Sequence, residues 1–107
     1  MKAVCRGAKE AGGTTVGILA GTDRSEANPY VDVAIATGLG QARNSVIARA
    51  GDALVAIGGG YGTLSEIALA LRREKHVVGL DTWVVEGVEA VDTAEAAVEA
   101  VLRDLTT

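Results

Sequence analysis

Cysteine, proline and aromatic residues are all scarce in this chain of 107 residues. Its single cysteine, Cys5, excludes an intramolecular disulfide and is typical of a reducing compartment. Phenylalanine is absent and aromatic residues make up only 3% of the chain, so we expect a core of Val, Leu, Ile and Ala. The one proline, Pro29, lies in a polar stretch that is typical of a loop.

A net positive charge and long apolar runs are missing as well. Asp and Glu outnumber Lys and Arg by 14 to 10, which disfavours a general nucleic-acid surface because such domains are usually basic. No apolar run approaches the ~20 residues that a membrane-spanning helix needs. The first residues also lack the apolar core of a signal peptide. We therefore expect a cytoplasmic protein without membrane or nucleic-acid partners, built as a single domain over residues 1–107.

Apolar strand patterns alternate with helical patterns along the chain, which favours an α/β fold with a parallel sheet between helices. Residues 53–57 (ALVAI) are apolar throughout, as in a parallel strand that is buried on both faces. The patterns predict helices at 2–11, 41–50, 63–73 and 92–105, and strands at 15–20, 31–36, 53–57, 77–80 and 82–88.

The helical patterns also predict inward faces and caps. In the second helix we expect Val46, Ile47 and Ala50 to face inward. In the last helix Asp92 is the expected N-cap, with Glu95 completing a capping box. The inward stripe expected for that helix is Ala94, Ala97, Val98, Val101, Leu102 and Leu105.

The sequence GGGYGT at residues 58–63 is the strongest candidate functional element. Glycines leave no Cβ in the way of a ligand, and free N–H groups at a helix N-terminus favour an anion. The predicted ligand-binding residues of the loop are Gly58, Gly59, Gly60, Tyr61, Gly62 and Thr63. The loop is neither a Walker A motif nor a GxGxxG fingerprint, and a purely structural connection between strand and helix is the alternative.

Glu66 and Arg43 have both structural and functional interpretations. Thr63 and Glu66 fit the capping box S/T-x-x-E, which satisfies helix-end donors, but a carboxylate one turn from a phosphate could also act as an acid or base. Arg43 near a helix start is mildly disfavoured unless an anion lies nearby, and the structural alternative, which the residues alone favour, is an ordinary solvated arginine. His76 is interpreted as an edge histidine without metal partners, and Trp83 as edge or interface packing.

The segment GGGYGTLSE at residues 58–66 resembles the PGGxGTxxE signature of the Lonely Guy family, once described as lysine decarboxylases. The remainder is similar to two related groups: DprA/Smf-related nucleotide-binding proteins and molybdenum-cofactor carrier proteins. The segment GQARN at residues 40–44 resembles their G-x-A-R-N segment. The resemblance implies a Rossmann-like three-layer α/β sandwich with a mostly parallel sheet.

The resemblance also implies a function and its residues. The ligand would be a nucleoside monophosphate or a molybdopterin-type cofactor, held by the glycine loop with Arg43 and Asn44. In the alternative, a Lonely Guy-type phosphoribohydrolase, Arg43 and Glu66 would be catalytic. A third alternative is a structural fragment that binds no ligand and assembles as an oligomer. Gly58 in place of the signature's Pro and Asn44 in place of Lys favour binding over hydrolysis.

The resemblance finally implies a departure in the sheet. Relatives begin with a strand, a helix and a second strand, and this sequence lacks those first two strands. They would lie in the sheet between the strand near Val16 and the strand near Val55. Because two half-sheets with open edges are prone to aggregate, we expect a continuous sheet restored by rearrangement or by a homodimer or higher oligomer.

Overall fold

The computed structural model describes residues 1–105 and contains the helices and strands of an α/β protein. The main elements follow the order α1 (Lys2–Glu10), β1 (Val16–Leu19), β2 (Val33–Ala36), α2 (Arg43–Ala50), β3 (Ala53–Ile57), α3 (Tyr61–Arg72), β4 (His76–Leu80), β5 (Val88–Val91) and α4 (Ala94–Leu105). Short 3-10 turns cover Arg24–Glu26 and Gly40–Ala42. The chain divides into two compact units, Met1–Arg43 and the part from Asn44 onward.

The first unit is a two-stranded parallel sheet preceded by α1. Val16 pairs with Val33 and Leu19 with Ala36, so the strands run in register along their whole length. The Asp32 carboxylate accepts a hydrogen bond from the Thr15 amide at 2.8 Å and from Lys9 Nζ at 3.0 Å. The Lys9 bond, followed by the Thr15 amide, lowers the pKa of Asp32. This carboxylate therefore ties α1 to the start of both strands.

The second unit has three parallel strands in the order β3-β4-β5 and a helix on each face. The central strand β4 carries Val77 and Val78, neither of which is exposed to solvent. Val77 joins the core beneath α3 with Ile67 and Ala70. Val78 joins the core beneath α4 with Ala97 and Ala100. This helix–sheet–helix layering confirms the α/β fold with parallel strands.

Two strand predictions are corrected. The predicted strand at 82–88 is wrong, because that stretch forms a loop and the strand β5 covers Val88–Val91. The loop's apolar character is explained by Trp83 and Val85, which pack against the core from outside the sheet. β3 has the predicted bounds but lies at a sheet edge, so Ile57 remains 39% exposed instead of being buried on both faces.

The inward faces and one cap also differ from expectation. In α2 the buried residues are Asn44 and Ala48, whereas Ala50 is exposed. The N-cap of α4 is Thr93, whose hydroxyl accepts a hydrogen bond from the Ala96 amide at 3.0 Å, rather than Asp92.

The outer flank of α4 is apolar and exposed. Of the predicted inward stripe, Val98, Leu102 and Leu105 are 56%, 52% and 51% exposed. Ala97 and the unpredicted Ala100 are the residues buried against the sheet. The apolar surface of α4 is thus wider than the part that packs against the sheet of the second unit.

The strands of the two units form separate sheets within the described residues, so rearrangement of a single chain does not produce the continuous sheet that we expected. Between residues 1 and 105, no helix combines the length and apolarity required to cross a bilayer.

Candidate functional site

The glycine loop begins where β3 ends. Gly58 has φ +80°, a conformation that favours glycine, and it turns the chain out of the strand. Its amide donates to the Leu80 carbonyl at 3.4 Å and so continues the pairing with β4. Gly58 therefore has a structural role of its own, and the candidate binding surface starts at the next residue.

The backbone amides of residues 59–63 form the candidate site. α3 begins at Tyr61 with Gly60 as its N-cap, and no side chain caps it. The first helical bond in this turn is from the Leu64 amide to the Gly60 carbonyl, at 3.2 Å. Within residues 1–105, no protein group accepts a hydrogen bond from the amides of residues 59–63. Five consecutive donors thus lie at the positive end of the α3 dipole.

The fold itself does not require glycine at positions 59 and 60. Neither residue has a positive φ. A Cβ built on either one would meet no protein atom within 4 Å. Glycine without a conformational or packing cause indicates a backbone that something else approaches closely.

The start of α3 corrects the capping interpretation. The helix begins two residues earlier than predicted, so Thr63 is its third residue and not the N-cap. The capping box from Thr63 to Glu66 is therefore wrong. Glu66 is half-buried on the helix face that also carries Gly62 and Thr63, one turn away, because residues three and four apart share a face.

Asn44 lies against the loop. It is 2% exposed, and its side-chain nitrogen is 3.8 Å from the position of a Cβ built on Gly62. The structure thus brings together Asn44 and the start of α3, as the resemblance implied. Arg43 is the first residue of α2, and its Nη1 donates to the Ile18 carbonyl at 2.8 Å.

Trp83 is the neighbour of the loop that the sequence did not reveal. Its indole Nε1 donates to the Gly60 carbonyl at 3.0 Å, and its ring stacks on Tyr61 with centroids 5.8 Å apart. The available signal was its position just after β4, because neighbouring parallel strands end at the same edge of a sheet. The prediction of edge or interface packing for Trp83 includes neither of these two contacts.

His76 lies away from the loop, at the opposite end of β4. Its Nε2 is 3.0 Å from Glu89 and its Nδ1 is 2.8 Å from Asp104. Glu89 also pairs with Arg103 at 3.2 Å. The hydrogen bond from His76, followed by that from Arg103, lowers the pKa of Glu89. This cluster joins β4, β5 and α4, so the contacts of His76 are structural, but His76 lies on the central strand of the sheet and not at an edge as expected.

Comparison with known proteins identifies a family and a relative. The profile of the SLOG cluster4 family matches residues 1–105. An uncharacterized protein of Archaeoglobus fulgidus is 46% identical over 99 residues, which cover 92% of this chain and 65% of that protein. This chain therefore spans about two-thirds of the length of that relative.

Solved structures agree with the family match. The molybdenum cofactor binding protein of the phototrophic bacterium Rippkaea orientalis superposes with a TM-score of 0.84 at 34% identity, over 100% of this chain and 71% of that one. The molybdenum cofactor carrier protein of Chlamydomonas reinhardtii gives 0.83 at 40% identity, over 96% of this chain and 69% of that one. These findings confirm the Rossmann-like fold and the resemblance to the carrier branch, and the chain belongs to the SLOG cluster4 family.

Proposed function

We propose that this chain binds a phosphate-bearing, nucleotide-like ligand at the amides of residues 59–63, in a reducing, cytoplasmic setting. The observation that carries the proposal is the run of five amides without protein acceptors. Two of them belong to Gly59 and Gly60, whose lack of a side chain the fold does not explain. Two chemical classes fit, a nucleoside monophosphate and a molybdopterin-type cofactor, because each carries a phosphate group joined through a short linker to a nitrogen heterocycle. The two solved relatives, a molybdenum cofactor binding protein and a molybdenum cofactor carrier protein, favour the molybdopterin-type cofactor.

The ligand's contacts follow from the local geometry. The phosphate would accept hydrogen bonds from the loop amides, and the α3 dipole would add a favourable field. Thr63, in the first turn, supplies a hydroxyl donor. Asn44 supports the loop at Gly62, and Arg43, the residue before it in α2, is the proposed cationic contact.

Titration calorimetry with inorganic phosphate, ribose 5-phosphate and AMP tests the proposal. We expect all three to bind and to raise the melting temperature, since a ligand that binds only the folded state stabilises it. Chloride at the same ionic strength is the control and should have no such effect. Absence of binding by every phosphate compound would overturn the proposal and leave the structural-fragment alternative.

A phosphoribohydrolase is the second candidate, and Glu66 is the observation that favours it. This carboxylate lies one helical turn from the proposed phosphate position, on the face of α3 that carries Gly62 and Thr63. In the reaction, the oxygen of water would bond to C1′ of the ribose while the N-glycosidic bond breaks, and the departing base would take up a proton from solvent, which gives the free base and ribose 5-phosphate. Glu66 would take the proton from that water or stabilise the developing cation.

Incubation with AMP separates the hydrolase from the carrier. Release of adenine that Glu66→Gln abolishes, while AMP binding persists, would establish hydrolysis. AMP bound without release of adenine would establish binding alone. Glu74→Gln, in an exposed position beyond the same helix, is the matched control and should change neither result.

We further propose that a second copy of the chain covers the open edge of β3. That edge carries neither charge nor proline, the usual protections of an exposed strand. Arg103 pairs with Glu89 of β5, and the exposed Val98 and Leu102 lie on a part of the α4 surface away from that ion pair. A two-fold axis normal to the sheet would pair β3 with its copy and bring the two apolar flanks together.

Sedimentation tests this association. We expect a dimer that Leu102→Glu converts to monomer, because a charge would be buried in the apolar seam. Glu99→Gln, one turn before Arg103 on the charged flank of α4, should leave the dimer intact. A monomer in the unmodified protein at micromolar concentration, or a dimer unaffected by Leu102→Glu, would overturn this part of the proposal.

A further inference from the structure

The chain's few aromatic residues are concentrated beside the glycine loop. It has two tyrosines and one tryptophan, and one of each, Tyr61 and Trp83, stack there. Their ring planes are inclined by 26°. The rest of the unit's core is built from aliphatic side chains, so packing alone gives no reason for an aromatic pair at this position.

Trp83 is fixed in place from two sides. Its ring packs against the core cluster beneath α3, and its Nε1–H donates to the Gly60 carbonyl at 3.0 Å. The hydrogen bond connects the indole to the N-cap residue of the proposed phosphate site. The position of the ring relative to the loop amides is therefore set before any ligand arrives.

Tyr61 presents the open side of the pair. It is 83% exposed, although one face of its ring is stacked on Trp83. It is also the first residue of α3, so its own amide is one of the five donors without protein acceptors. An aromatic ring that is open to solvent beside hydrogen-bond donors is a surface suited to a ligand with a flat ring and a polar tail.

We propose that Tyr61, backed by Trp83, is the stacking surface for the heteroaromatic ring of the ligand, a purine or a pterin. This inference rests on the proposed binding of the ligand's phosphate at residues 59–63. The amides would hold the phosphate regardless of what is attached to it, and the aromatic pair would select ligands that carry a flat ring. Stacking tolerates different rings because each has a π-face, so AMP is a suitable probe for both classes.

The experiment compares AMP with ribose 5-phosphate, which has a hydroxyl group on C1′ in place of the adenine. In the unmodified chain AMP should bind roughly tenfold tighter, the lower part of the range that stacking on one aromatic side chain supplies. Tyr61→Leu should reduce the affinity for AMP to that for ribose 5-phosphate and leave the latter unchanged. Tyr61→Phe should retain the preference, because the ring and not the hydroxyl is used.

Two further measurements show that the effect is local. Trp83 is the only tryptophan, so its fluorescence reports directly on this site, and AMP should change it more than ribose 5-phosphate does. Val84→Ala, one residue after Trp83 at a fully exposed position, is the matched control and should leave both affinities unchanged. Tyr61 is itself largely exposed, so its substitution leaves the core intact.

The failures of the two proposals are distinguishable. If ribose 5-phosphate binds but AMP binds no tighter, or if Tyr61→Leu keeps the AMP preference, the stacking role is overturned while phosphate binding stands. If inorganic phosphate, ribose 5-phosphate and AMP all fail to bind, the proposed function is overturned and the stacking role with it.

Discussion

Replacing Gly59 by alanine separates the function of the loop from its fold. The new methyl group would lie in open space, with no protein atom within 4 Å, and the backbone at this position has no positive φ. We therefore expect the free energy of unfolding to stay the same or to rise by about 0.4–1 kcal/mol, because alanine restricts the unfolded chain. Affinity for inorganic phosphate should nevertheless fall at least roughly tenfold, since the methyl group occupies space beside the amides.

Alanine substitutions of two other glycines serve as comparisons for Gly59→Ala. Gly79→Ala should destabilise the protein by about 1–3 kcal/mol, the usual cost of overpacking a core. Its Cβ would lie 2.8 Å from Thr82 and 2.9 Å from Val88, at branched side chains that have little room to move. Gly7→Ala is the matched control, because its Cβ also meets nothing within 4 Å but lies in α1, and it should leave phosphate affinity unchanged.

Urea unfolding and phosphate titration of the same three variants form the assay. The expected pattern is loss of binding without loss of stability for Gly59→Ala, and loss of stability for Gly79→Ala. A Gly59→Ala protein that is stable and binds phosphate as tightly as the unmodified chain would refute the reasoning, because no ligand would then approach the backbone there.

Two further predictions concern stability. Because the pKa of Asp32 is lowered in the folded protein, its stabilising contribution is fully present above the ordinary value of 3.8 and is lost as the pH falls through the lower folded-state value. Urea unfolding of the unmodified chain and of Asp32→Asn should therefore differ at neutral pH and converge in strong acid; a difference that persists there would contradict this. Thr93→Ala should destabilise α4 by about 1 kcal/mol through loss of its N-cap, while Asp92→Ala should have little effect. Equal losses in urea unfolding of these two variants would contradict the assignment of the cap.

The sequence predicted the elements whose limits are set by local chemistry. β3 has its predicted bounds because an uncharged apolar run meets a residue, Gly58, that leaves the strand with positive φ. The parallel pairing also followed from the alternation of strands and helices. By contrast, α3 begins at Tyr61 because glycine can serve as an N-cap without any side-chain bond. A prediction that relies on a hydroxyl cap therefore places the helix start wrongly at Thr63.

What the sequence could not predict depends on tertiary contacts. The apolar residues at 82–88 resemble a strand, but Trp83 and Val85 use their side chains to cover the core from a loop. The apolar face of α4 is broad, and its periodicity does not show that only the side with Ala97 and Ala100 meets the sheet. Trp83 joined the candidate site because two strand ends meet, a relation between segments distant in sequence.

A loop that binds through backbone amides and an aromatic ring has consequences for selectivity. None of residues 58–63 is charged, so in the proposed site the attraction for phosphate would come from oriented amide dipoles rather than from a lysine or arginine within the loop. Amide donors recognise any phosphate of suitable size, and they cannot by themselves distinguish a nucleotide from the inorganic ion. Discrimination must then come from side chains around the loop. Tyr61 is the ring that is both exposed and adjacent to the amides, which makes it the residue at which a change of ligand preference is most readily measured.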